Sequence, residues 1–143
     1  MPLTLNLATP EDVERAFYDA LSHGDADLLM PLWCEDEETV CVHPTGVRLS
    51  GTSPIRESWQ AIFASARLRV QPELIGHWQG SIMAVHHLTE VLFVGDDPSP
   101  HGPLYVTHVY MRGPHGWRLV CRHASAADDG QHAMDEAIPH TLH

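Results

Sequence analysis

The chain contains no lysine. Its eight basic residues are all arginine, set against 19 acidic ones, for a formal net charge of −11. The arginines are scattered, so no basic face is available to displace counterions from phosphates. Nucleic acid is set aside as a partner, and an anionic membrane surface is disfavoured for the same reason. No apolar run approaches the roughly 18 to 20 residues needed to span a bilayer. The opening "MPLTLNLATPEDVERA" has no basic start, no long apolar centre and no cleavage signature. No signal peptide is expected, and a cytoplasmic location is. Cysteine is scarce. Cys34, Cys41 and Cys121 are odd in number, widely spaced and free of any CxxC, which argues against a zinc knuckle or a thioredoxin-type site. They read as reduced thiols buried as small hydrophobes.

What is present describes a globular chain. Its 143 residues, 43% of them hydrophobic, suit one domain with an ordinary core. Twelve histidines are unusual, and protonating all of them would move the formal charge from −11 to +1. The surface field should therefore depend strongly on pH between about 5 and 7.

The first helix is well signalled. Thr9 suits the N-cap, Pro10 the first helical position, and Glu11 and Asp12 the positive end of the dipole. Val13, Ala16, Phe17, Ala20 and Leu21 make one apolar stripe, and Gly24 stops it. A short second helix, "ADLLMPLW", is capped by Asp25 or Asp27 and limited by Pro31. "TVCVH" reads as a short strand ended by Pro44 and a turn at Gly46. "GTSPIRESWQAIFASA" reads as a third helix buried along Ile55, Trp59, Ile62 and Phe63. Beyond residue 67 the pattern changes to strands: "LRVQPEL", "SIMAVHHLTEVLFV", "LYVTHVYMR" and "WRLVCRHAS". Turn sequences such as "GDDPSPHGP" and "GPHG" separate them. The tail, residues 127–143, is polar and expected to be frayed or partly helical. Helices first and a meander of long strands after predicts an α+β domain with a sheet curled around the helices. Such a cone encloses a site suited to a small molecule.

Three blocks together resemble the nuclear transport factor 2-like superfamily, and within it the SnoaL-like and ketosteroid-isomerase-like proteins. They are "AFYDALSHGDADLLMPLW", "TVCVHPTGVRLSGTSPIRESWQAIF" and "GWRLVCRHAS". With the strands between them they cover about residues 9 to 126 of a single domain, 1–143. The resemblance implies a cone-shaped, cystatin-like α+β fold, a curved and mostly antiparallel sheet around about three N-terminal helices. It also implies a homodimer formed through the outer sheet face. Members include isomerases, dehydratases, polyketide cyclases and non-catalytic binding or assembly modules, so fold alone does not choose a function. Where the isomerases keep an Asp base before a Pro, this chain has His43 before Pro44. Where they keep a first-helix Tyr, it has Phe17, with Tyr18 adjacent. Their second oxyanion donor is a protonated Asp on a later strand, and "LYVTHVYMR" has no carboxylate. The familiar steroid isomerisation is therefore disfavoured. Scytalone dehydratase, a fold relative, uses histidines for elimination, which keeps histidine chemistry in play.

The candidate catalytic residues are His43, His108 and His123. A histidine ring titrates near neutrality and suits proton transfer. Strand alternation groups His123 with Trp117, Leu119 and Cys121, an apolar set that looks inward; a one-residue shift would turn Arg118, Val120 and Arg122 inward instead. Trp33, Trp59, Tyr18 and Arg122 are candidate ligand contacts, although helical-stripe aromatics are more often core. No metal is expected. His43, His108 and His123 show no HxH or HxxxH spacing, and the adjacent His86 and His87 must face opposite sides of a strand. No cofactor is required. Two readings result: a pocket protein acting on a carbonyl-type organic molecule by isomerisation, dehydration or cyclisation, or a non-catalytic dimeric module with a filled pocket.

Overall fold

A computed structural model describes residues 7–127. Helix α1, Pro10–His23, begins with a full capping box. The Thr9 hydroxyl accepts from the Asp12 amide, and the Asp12 carboxylate accepts from the Thr9 amide. It ends at Gly24 in the left-handed region, φ 62°. Val13, Phe17, Ala20 and Leu21 bury the predicted stripe. Asp25 caps the short α2, Ala26–Leu29, and Pro31 sits in a single 3-10 turn after it, Met30–Leu32. Helix α3, Thr52–Ser65, buries Ile55 and Trp59.

The strands are β1 Val40–Val42, β2 Arg48–Ser50, β3 Leu68–Gln79, β4 Met83–Val94, β5 His101–Gly113 and β6 Gly116–Ala126. They form one six-stranded sheet in the order β2-β1-β6-β5-β4-β3. All neighbours are antiparallel except β1 and β6. The fold is the expected α+β type, with the helices on the concave face. Two details differ from the sequence reading. The stretch after Gly46 is not only a turn but returns as β2. Strand β3 runs on through Gly76 and Trp78, past a bulge between Leu74 and Gly76. The polar tail from residue 128 lies outside the described residues.

A bulge in β6 decides which residues enter the cone. Tyr110 pairs with Leu119, yet Val109 pairs with Cys121, so Val120 is the extra residue. Before it, Trp117 and Leu119 face inward. After it the parity reverses, and Arg122 and Ala124 are buried while His123 is exposed.

Candidate active site

The inner face carries one transverse row across five strands. His77 pairs with His86, His86 with His108, His108 with Arg122, and Arg122 with Cys41. Residues opposite one another on one face have Cβ atoms about 5 Å apart, so the row is a line of near neighbours. Helix α1 lies over it and adds Glu11, Glu14 and Tyr18, which share a helix face at spacings of three and four.

These groups bond to one another in a chain whose proton positions can be worked out. Arg122 donates through Nη1 to Glu90 Oε2 at 2.7 Å and through Nη2 to Glu90 Oε1 at 2.9 Å. Tyr18 donates to the same Oε2 at 2.5 Å. Arg122 Nη1 also lies 3.0 Å from His108 Nε2. A guanidinium only donates, so Nε2 is the acceptor and the His108 proton sits on Nδ1. That nitrogen donates to the Tyr110 hydroxyl at 2.8 Å, and Tyr110 donates to Glu14 Oε1 at 3.1 Å. Glu14 Oε1 also receives His86 Nδ1 at 2.7 Å, and His86 Nε2 lies 3.6 Å from Glu11 Oε2. Both nitrogens of His108 are therefore taken by protein.

Burial and charge set the protonation states. Burial lowers His108 well below the usual histidine range, and the positive field of Arg122 and the neighbouring His86 lower it further. Burial alone would raise the Glu90 carboxyl. The charge of Arg122 and the bonds from Arg122 and Tyr18 outweigh that and hold it below the usual range. Burial and the negative charge of Glu90 raise the Tyr18 hydroxyl, against the pull of Arg122. The Arg122 guanidinium also lies over Phe17, 5.1 Å from the ring centroid, and 5.8 Å from that of Trp59.

His43 stands apart from this chain. It succeeds β1 with the inward parity of Cys41 and is half-buried. Its Nε2 lies 3.0 Å from Ser58 Oγ, which gives its single proton to the Ile55 carbonyl at 2.9 Å. Oγ is thus the acceptor, Nε2 carries the proton, and Nδ1 keeps a lone pair. Burial, then the charge of Arg122, lowers the His43 ring. Trp59 packs edge-on against it at 5.2 Å. Nearby, Cys41 is fully buried, and its thiol is pushed up to about 11, chiefly by burial.

The predicted residues therefore separate. Tyr18, His108 and Arg122 join one buried network, while His43 borders it beside Trp59. Trp33 is core, packed edge-on against Phe17. His123 is a correction: the bulge at Val120 carries it to the outer face, where its partner is Val42. Glu90, His86, Glu14 and Tyr110 were missed. Alternation from Ala84 places His86, Leu88 and Glu90 on one face, and that signal was available in "AVHHLTE". Among the described residues no cluster of three or more His, Cys, Asp or Glu forms a metal site. No helix among them is long and apolar enough to cross a membrane. A separate cleft of about 1110 Å³ lies against the outer face, bounded by Trp33, Cys34, Val40, Met111, Arg118 and Cys121, among others.

The family model of the SnoaL-like domain matches residues 11–129. The chain belongs to the SnoaL-like family. Among solved structures, one from Thiobacillus denitrificans ATCC 25259 is assigned as a calcium/calmodulin-dependent protein kinase type II association domain. This SnoaL-like chain is 31% identical to it, with TM-score 0.81, covering 90% of this chain and 100% of that one. An NTF2-like structure from Streptomyces avermitilis, assigned as a dehydratase, is 27% identical with TM-score 0.70, covering 81% and 91%. A protein of unknown function with a cystatin-like fold from Nostoc punctiforme PCC 73102 is 16% identical with TM-score 0.70, covering 81% and 74%, a likeness of fold alone. No curated protein matches the sequence.

Proposed function

We propose that this SnoaL-like chain is a non-catalytic association module that pairs with a second copy through the outer face of its sheet. One contrast carries the reading. Inside the cone, His108, Arg122, Glu90, Tyr18, Tyr110 and Glu14 are spent on one another, and neither nitrogen of His108 is open to a substrate. Acid–base catalysis needs polar groups converging on an open volume. The outer face is the reverse. Its register sets Trp78, Val85, Val109, Cys121 and Val40 in one row, with Met83 and Met111 beside it. Trp78 is 59% exposed and Met111 40%, while Tyr105 stands beyond the polar His87–Thr107–His123 row of the same face. A contiguous apolar face of this kind suits protein–protein contact. The association domain from Thiobacillus denitrificans supports the same reading.

The test is sedimentation velocity from micromolar concentration upward, on wild type and on Val109→Arg. Wild type is expected to sediment as a dimer or larger, and the variant to fall to the monomer with its circular dichroism unchanged. A wild type that stays monomeric throughout sinks the proposal.

A second reading is favoured by a local observation. The N–H groups of Trp59 Nε1 and Arg122 Nε are buried without a hydrogen-bond partner among the described residues, and the His43 ring packs against Trp59. Donors beside a lone pair suit a small carbonyl compound, with His43 as base and no cofactor. Shifts of the His43 ring signals on adding such compounds would favour this reading. Unmoved signals across a panel of isomerase and dehydratase substrates would count against it.

A further inference from the structure

Two of the three cysteines line the outer cleft. Cys41 is fully buried, whereas Cys34 and Cys121 are part-exposed, and both line that cleft. The backbone sets their approach. Trp33 pairs with Leu119 in parallel register, and the Cys34 amide donates to the Leu119 carbonyl at 2.8 Å. Trp33 is buried on the inner face, so alternation turns Cys34 outward, level with Val120. The extra residue of the bulge is Val120 itself, and Cys121 beyond it takes the outer face opposite Val109. Both thiols therefore face the same side. The bond from the Cys34 amide to the Leu119 carbonyl holds Cys34 beside the Val120 bulge, one residue from Cys121, where small local movement can bring the two Cα atoms within the roughly 4.4 to 6.8 Å that a disulfide needs.

We propose that Cys34 and Cys121 form a reversible dithiol–disulfide pair that is oxidised by hydroperoxides. The first thiolate attacks one peroxide oxygen. An S–O bond forms, the O–O bond breaks, and the alcohol or water leaves, giving a sulfenic acid. The second thiolate attacks that sulfur. The S–S bond forms, the S–O bond breaks, and the departing hydroxide takes a proton to leave as water. Two electrons pass from the sulfurs to the peroxide, and the two thiol protons end in the alcohol and the water. The cross-link joins the segment leading into β1 to the middle of β6, at one side of the cleft.

The experiment treats the full chain with hydrogen peroxide, alkylates the remaining thiols under denaturing conditions, and maps the peptides. Before alkylation the expected mass is lower by about 2 Da, from two lost hydrogens. One thiol of the three should remain, with a linked Cys34–Cys121 peptide that dithiothreitol releases. Cys34→Ser and Cys121→Ser should each abolish the linked peptide, and Cys41→Ala should leave it. Three retained thiols, a disulfide between chains in its place, or Cys34 oxidised to sulfinic acid without linkage would overturn the proposal.

Discussion

Replacing Glu90 by Gln removes the carboxylate bonded through both oxygens to a guanidinium that is itself 4% exposed. Glu90 is 1% exposed, so neither partner can turn to water for compensation. Breaking a buried ion pair by neutralising one member costs about 3–5 kcal/mol, because the remaining charge stays desolvated. A domain has about 5–15 kcal/mol in total, so the variant should lose about a fifth of its stability or more. The double variant Glu90→Leu, Arg122→Met removes both charges and should cost less than the sum of the singles. It does not come free, since His108 Nε2 loses its donor, worth about 1–3 kcal/mol. Urea denaturation of the wild type, Glu90→Leu, Arg122→Met and the double gives the coupling directly. A coupling of about 3 kcal/mol is expected. A Glu90→Gln cost under about 1 kcal/mol, or single costs that simply add, would refute the claim that the pair is tight and desolvated.

The same geometry sets three further outcomes. The Glu90 carboxyl is depressed in the folded state, so its stabilisation holds above its unfolded value near 4.5 and is lost as pH falls below it. Wild type should lose stability there more steeply than Glu90→Gln, read from urea midpoints against pH. His108 and His43 are also depressed, so the unfolded chain takes up their protons first, near 6.5. Their stabilisation is present above that value and lost as pH falls, at up to about 1.4 kcal/mol per pH unit for a ring that stays neutral when folded. Stability that is flat or rising from pH 7 down to 5 would contradict this. Gly116 has φ 97°, and a Cβ there would lie 2.5 Å from the Leu7 carbonyl oxygen, which accepts from the Trp117 amide. Gly116→Ala should therefore cost about 1–3 kcal/mol, seen as a lowered Tm.

Much of the fold was readable because its signals are local. Thr9, Pro10 and Gly24 fix the ends of α1 within one turn of chain, and the strand segments announce themselves by composition. The inner row was harder. Its members come from strands far apart in sequence, and only the pairing of His86 with His108 and of His108 with Arg122 brings them together. Alternation alone could not place Arg122 or His123, since one extra residue at Val120 reverses the parity between Leu119 and Arg122. Strand β2 was missed because three residues after a turn carry too little periodicity to read. Glu90 was missed for a different reason. The comparison with steroid isomerases directs attention to a carboxylate on the strand that is β5 here, whereas the buried carboxylate of this chain comes from β4.

The central claim is that His108 and the buried network around it are held, not offered. The most direct measurement is a nitrogen-detected NMR titration of the histidine rings from about pH 5 to 8. The account predicts His108 as the neutral Nδ1–H tautomer throughout, untouched by pH, with His43 as the Nε2–H tautomer at neutral pH. A His108 ring that titrates reversibly near neutrality, or that carries its proton on Nε2, would contradict the closed network and reopen the cone as a site of acid–base chemistry.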